Sequence, residues 1–201
     1  MVYLDQAQLP VKEEFKSITS LKDMYDAIAG LEVRGAPCIG VFAAYSMYVA
    51  ALKYADMDYD SFRESLRKDG GYLNSSRPTA VNLSWAIRRM ESLVEKNSSA
   101  GVGQIIKMLK KEAEDIHSED ISLCRRIGEN GLELIRDGAS LLTHCNAGAL
   151  ATTRYGTQLA PVYIGMERGM SFKLFVDETR PLLQGARLTA YELLCFSELS
   201  A

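Results

Sequence analysis

The sequence predicts an α/β protein: a mostly helical N-terminal domain, residues 1–138, followed by an incomplete Rossmann-like parallel-sheet domain, residues 139–201. Three observations carry this expectation. Apolar residues recur at helical spacing from about residue 18 to 137, the pattern changes to short apolar runs after Gly138, and those runs alternate with segments of helix length. Strand–helix–strand–helix order implies parallel strands, because a helical crossover returns the chain in the same direction. An open parallel sheet buries both faces and normally holds more than two strands, so the α/β part reads as cut short.

The elements follow in order. Ser20 suits an N-cap with Asp23 three residues on, Leu21, Met24, Ile28 and Leu31 supply the buried stripe, and Gly30 is the stop. Pro37 fits the first turn of the next helix, where its missing N–H costs nothing. The apolar run from Ile39 to Leu52 is shorter than the ~20 residues a bilayer span needs and carries Tyr45, Ser46 and Tyr48, so it reads as a buried helix. A Pro-initiated helix follows Arg77-Pro78-Thr79, with Val81, Trp85, Met90 and Leu93 inside and Arg88, Arg89 and Glu91 outside. Ile105, Leu109, Ala113 and Ile116 mark another helix, and a further one, from about Asp120 to Arg136, stops at Gly138. Lys68-Asp69-Gly70-Gly71 and the segment from Lys96 to Gly101 read as loops. Ser140 to Cys145 and Phe172 to Val176 read as strands. Ala149 to Gly169, interrupted by Gly156 and Pro161, and Leu182 to Leu199 are the accompanying helices.

Composition removes several function classes. With 23 basic against 26 acidic residues and a net charge of −3, nothing marks a surface for nucleic acid or an anionic membrane. Cys38, Cys124, Cys145 and Cys195 form no C-x-x-C pair, and His117 and His144 are the only histidines, so a structural zinc site is not expected. The N-terminus lacks the basic region and apolar stretch of a secretory signal, which implies reduced thiols and a cytoplasmic protein.

Ligands of open α/β sheets gather beyond the carboxyl ends of the strands, which here deliver Cys145-Asn146-Ala147-Gly148 and Asp177-Glu178-Thr179-Arg180 to one rim. A free cysteine is most often a small buried hydrophobe. At a strand end followed by a Gly-containing turn and a helix start, however, helix N–H groups favour thiolate. His144 alternates to the opposite face, so a packed structural imidazole is expected rather than a Cys–His dyad. Arg34-Gly35-Ala36-Pro37 places a cation, a small-residue turn and a helix N-terminus within four residues, a combination suited to phosphate and equally to a simple helix-capping turn. Arg77 before Pro78 offers a second cation or a plain surface contact.

Together, Val33-Arg34-Gly35-Ala36-Pro37, the segment from Ser76 to Leu83, the segment from Thr143 to Thr152, and Asp177-Glu178-Thr179-Arg180-Pro181 through Ala190 resemble the methylthioribose-1-phosphate isomerase family. These are aldose–ketose isomerases of methionine salvage. The resemblance runs from Tyr3 to about Leu194 and fades in the closing segment from Cys195 to Ala201. Ribose-1,5-bisphosphate isomerases and the non-catalytic regulatory subunits of initiation factor 2B are related alternatives. The resemblance implies conversion of S-methyl-5-thio-α-D-ribose 1-phosphate to S-methyl-5-thio-D-ribulose 1-phosphate without metal or organic cofactor, by a homodimer when complete. It implies Cys145 as the catalytic thiol, and Arg34, Gly35, Ala36, Arg77 and Gln184 as substrate-binding residues. The family's second catalytic residue, an Asp, and an Asn-Lys pair belong to Gly-Ala-Asp-Arg and Asn-Lys-Ile-Gly segments. This sequence does not contain them, so the chain alone is expected to be inactive. Asp177 and Glu178 are read as strand-end carboxylates that orient their neighbours.

Overall fold

A computed structural model describes residues 1–199, with side chains described through Cys195, so most of the closing segment in which the resemblance fades lies outside the described side chains. The chain divides into two compact units, one formed by Met1–Ala7 and Glu14–Ser118, the other by Gln8–Glu13 and the chain from Glu119 onward.

In the first unit a short hairpin pairs β1 (Val2–Leu4) antiparallel with β2 (Phe15–Ser17). Periodicity did not predict it, because three-residue strands are too short to show an alternation. Helix α1 (Leu21–Ala29) starts as expected: the Ser20 side chain accepts the Asp23 N–H and Gly30 closes the last turn onto Asp26. Helix α2 (Ala36–Ala51) carries Pro37 in its first turn. With the 3-10 turn that follows it reaches 19 residues, long and apolar enough by composition to cross a membrane, yet it is the central core helix of this unit. Met47, Ala43, Ala44 and Ala51 on it have no exposed surface, and α1, α3 and α4 pack around it.

Four expectations fail here for identifiable reasons. Lys68 to Gly71 is not a loop but part of α3 (Tyr59–Asn74). Gly70 is there because the neighbouring helix is close: a Cβ would stand 2.9 Å from both Ile87 Cγ2 and Glu91 Oε1. Helix α4 (Val81–Lys96) buries Leu83, Ala86, Ile87, Met90 and Val94, whereas Val81 and Trp85 are 73% and 42% exposed. The small Ala86 faces inward and the large indole lies outside beneath Arg89, whose guanidinium sits 5.5 Å from the ring. Pro78 belongs to a turn closed by the Ala80 N–H on the Arg77 carbonyl at 2.9 Å, ahead of the helix rather than in its first turn. The two helices expected between Ile105 and Arg136 are one, α5 (Val102–Leu132), since His117-Ser118-Glu119 contains no breaker. The two-unit division falls within its length.

The second unit holds β3 (Ser140–His144) and β4 (Lys173–Asp177), paired in parallel from Ser140↔Lys173 to His144↔Asp177, as the crossover pattern required. Gly138 does not end a helix. At φ +73 it turns the chain into β3, while Asp137 Oδ1 accepts the N–H groups of Gly138 and Ser171. Between the strands only α6 (Ala160–Glu167) is regular helix. A π-helical turn, Gly185–Thr189, leads into α7 (Ala190–Leu199). A second apolar core joins Cys124, Leu132, Tyr155, Leu159, Val162, Tyr163 and Ile164. The observed fold is the expected one, a helical part followed by a partial Rossmann-like parallel unit.

Candidate functional site

In the first unit the Arg34 turn is held from both sides. Gly35 caps α2 at φ +92, a conformation that costs any other L-residue, and its carbonyl accepts the Ile39 N–H at 2.9 Å. On the upstream side Val33 is buried, and its N–H reaches the Ala27 carbonyl. Glu32 accepts from Lys16 at 2.9 Å and from the Tyr3 hydroxyl, and Lys16 also grips the buried Asp5 at 2.8 Å. These two carboxylates hold the Lys16 ammonium well above its ordinary pKa, the Asp5 bond contributing most. Arg34 therefore emerges half-buried from a braced turn, next to the first N–H groups of a 16-residue helix. Ala36 is the first residue of that helix. Arg77, also half-buried, lies in the turn between α3 and α4.

In the second unit β3 and β4 end in register at His144 and Asp177, so the segments that follow leave the sheet at one rim, as the sequence implied. Cys145 is half-buried at φ +62, left-handed backbone that a non-glycine residue adopts only where its surroundings hold it there. Its carbonyl accepts from the Thr189 hydroxyl at 2.6 Å. On the β4 side Gln184 is half-buried at the start of the π-helical turn, and its Oε1 accepts from the Thr179 hydroxyl at 3.0 Å. Glu178 orients its neighbours as expected, accepting the N–H groups of Thr179 and Ala186. The structure thus ties Cys145 and Gln184 to one short element, from Gln184 to Thr189.

Two expectations about this rim need correction. Cys145 is followed not by a regular helix but by a loop and a single 3-10 turn, Ala149–Ala151, because Gly156 at φ +76 breaks the run before α6. His144 is not packed: its side chain is 68% exposed and lies 3.7 Å from the Asp177 carboxylate across the strand pair. Sequence reasoning placed Asn146 at the rim without a role and missed Thr189 and Glu192; all three are at most 7% exposed. The one available signal was an acidic residue within the apolar run Tyr191-Glu192-Leu193-Leu194.

Cys124 shows what a purely structural thiol looks like in the same unit. Burial above all, then the Asp120 carboxylate at 3.8 Å, pushes its pKa up to about 11. At pH 8 it holds about a hundredfold less thiolate than an ordinary thiol. In folded protein Cys124 is expected to be the slowest of the four cysteines to react with iodoacetamide, measured by site-resolved mass spectrometry. A Cys124 rate matching that of Cys38 or Cys195 would contradict this packing. Among the described residues no group of three or more His, Cys, Asp or Glu side chains is placed to hold a metal ion.

The profile of the Initiation factor 2 subunit family matches residues 32–195. A methylthioribose-1-phosphate isomerase of Parabacteroides distasonis is 53% identical over 96% of this chain and 58% of its own length. A 5-deoxyribose 1-phosphate isomerase of Clostridium botulinum is 49% identical over 96% of this chain and 55% of its own. The chain thus spans little more than half the length of these curated relatives. Two crystal structures share its fold closely. One, the delta subunit of translation initiation factor eIF-2B from A. fulgidus, is 39% identical with a TM-score of 0.89 over 98% of this chain and 57% of that one. The other, a 5-methylthioribose 1-phosphate isomerase from Pyrococcus horikoshii OT3, is 36% identical with a TM-score of 0.90 over 96% of this chain and 54% of that one.

Proposed function

The chain belongs to the Initiation factor 2 subunit family, and within it we propose the function of a cytoplasmic aldose–ketose isomerase acting on a 5-substituted ribose 1-phosphate. The substrate is S-methyl-5-thio-α-D-ribose 1-phosphate and the product S-methyl-5-thio-D-ribulose 1-phosphate, a step of methionine salvage. The observation that carries this reading is Cys145, held left-handed at the carboxyl end of β3 in a segment that resembles the isomerases. In this reading the phosphate is gripped by Arg34 and Arg77 and by the N–H groups at Gly35 and Ala36, Gln184 binds the sugar, and Cys145 is the catalytic thiol. A 1-phosphorylated aldose is locked as a ring. Isomerisation must first protonate the ring oxygen as its bond to C1 breaks, and then move hydrogen from C2 to C1. Each positioned proton transfer is worth ~10²–10⁴-fold, and the thiol is one of the groups required.

Two relatives act on ribose 1-phosphates whose C5 carries methylthio or hydrogen, which favours an apolar C5 end over a second phosphate and hence over a ribose-1,5-bisphosphate isomerase. Calorimetry with 5-deoxyribose 1-phosphate, the methylthio compound and ribose 1,5-bisphosphate tests this by binding alone. Preference for the bisphosphate would refute the substrate assignment, and failure to bind any of the three would refute the isomerase reading. A second reading, a non-catalytic sugar-phosphate module, is favoured by the likeness to the eIF-2B subunit, and methylthioribose 1-phosphate binding with a Cys145 indifferent to it would select that reading. Arg34→Ala is expected to weaken binding of the methylthio compound by ~1.5–3 kcal/mol, the range for hydrogen bonds to charged groups. An unchanged dissociation constant would remove Arg34 from the site.

A further inference from the structure

The Cys145 turn is gripped by a buried carboxylate that neither the sequence motif nor the proposed chemistry uses. Glu192, on the first turn of α7, is 7% exposed. One of its oxygens, Oε1, accepts from the Asn146 side-chain amide at 2.7 Å, and the other, Oε2, accepts the Leu150 backbone N–H at 3.0 Å. The same Asn146 amide donates to Thr189 Oγ1 at 3.1 Å, and that hydroxyl donates to the Cys145 carbonyl. Gly148 lies directly beneath, where a Cβ would stand 1.9 Å from Glu192 Oε1. Burial and the neighbouring Glu192 also raise the Tyr163 phenol far above its ordinary pKa, so this hydroxyl stays protonated beside the carboxylate.

We propose that Glu192 is the positioning residue of the Cys145 turn, fixing the thiol's direction through Asn146 and the Leu150 N–H while Thr189 clamps the cysteine's own carbonyl. The reason lies in the two-sided grip. A left-handed non-glycine residue relaxes toward extended backbone unless its neighbours oppose it, and here the side chain next in sequence and the far end of the turn are held by one rigid acceptor pair. Only a carboxylate can accept on both sides. A glutamine of the same shape accepts on one and presents N–H to N–H on the other. The relevance of the thiol's direction to catalysis rests on the isomerase reading above; the positioning itself does not.

The test is site-resolved iodoacetamide labelling of the 201-residue chain between pH 6 and 10, comparing the parent with Glu192→Gln and Thr189→Val. Hydrogen exchange at the Leu150 amide is followed alongside, and Cys124 serves as the internal reference. In both variants the Cys145 pH–rate profile is expected to change by at least about fivefold in its midpoint-corrected rate, the factor that corresponds to ~1 kcal/mol of released backbone strain. The Cys124 rate stays within twofold. The second variant keeps the test decisive if Glu192→Gln does not fold. A Cys145 profile superimposable on the parent's in the folded variants would overturn the proposal, and so would equal acceleration at Cys145 and Cys124, which would make Glu192 a core support only. No step of this test uses sugar phosphate. A parent chain that binds none would therefore remove the isomerase reading and leave the positioning result standing.

Discussion

Gly156→Ala is expected to destabilise the second unit by about 2–5 kcal/mol, as the sum of two costs that have no route of escape. Gly156 sits at φ +76, where an L side chain costs ~1–2 kcal/mol. Its Cβ would stand 2.4 Å from Gly148 Cα and 2.6 Å from the Ala147 carbonyl oxygen. Both are backbone atoms, so no rotamer change relieves the overlap, and overpacking of this kind costs typically ~1–3 kcal/mol. The Ala147 carbonyl also accepts the Thr157 N–H at 2.9 Å, so displacing it pulls on the turn that carries Cys145. The measurement must report on the right unit. Trp85, the chain's single tryptophan, lies on α4 in the first unit, so indole fluorescence follows the wrong core. Urea-dependent labelling of the buried Cys124 follows the second. Gly71→Ala is the control: it lies within α3 with no atom within 4 Å of its Cβ position, and there alanine is expected to be neutral or to stabilise by up to ~1 kcal/mol. Gly71→Ala lies in the first unit and is followed by Trp85 fluorescence; a Gly156→Ala midpoint at Cys124 equal to the parent's would show that the Gly148–Gly156 contact is not tight.

What the sequence revealed divides along the range of the interactions concerned. Local signals were sufficient for Ser20 capping α1, for Pro37 in the first turn of α2, and for the parallel pair β3–β4, because capping, proline geometry and crossover rules act within a few residues or through chain direction alone. The errors arose where a distant surface decides. Gly70 looked like a loop residue until α4 was seen pressed against it, and Asp120 looked like a helix start although it is an interior helix residue. Its carboxylate accepts from the Thr153 N–H and hydroxyl, thirty-three positions away. Helical spacing with Val81, Met90 and Leu93 puts Trp85 inside, whereas α4 turns the small Ala86 toward the core and leaves the indole 42% exposed. The candidate site follows the same rule. Cys145, Gln184 and the Arg34 turn stand in contiguous motifs, but Glu192 touches Asn146 across forty-six positions, and no local pattern joins them.

Saturating S-methyl-5-thioribose 1-phosphate is expected to slow alkylation of Cys145 by about a hundredfold at a ligand concentration one hundred times its dissociation constant, since only the unliganded fraction exposes the thiol. Gln184 and Cys145 are both tied to the element from Gln184 to Thr189, one through its own position and the other through the Thr189 clamp on its carbonyl, so a sugar held by Gln184 lies against the rim from which Cys145 emerges. Cys124 gives no information here because burial already suppresses it, and Cys38 stands in the first turn of α2 beside the proposed phosphate contacts, so Cys195, half-buried on α7, is the proper reference. Its rate should not change. Inorganic phosphate at equal saturation separates two causes: if the sugar covers the thiol, phosphate alone protects weakly, whereas a general tightening of the fold would protect Cys145 equally with either ligand. Equal protection by phosphate, or no protection by the sugar phosphate at demonstrated saturation, would remove Cys145 from the substrate-contacting residues and with it the catalytic role proposed for its thiol.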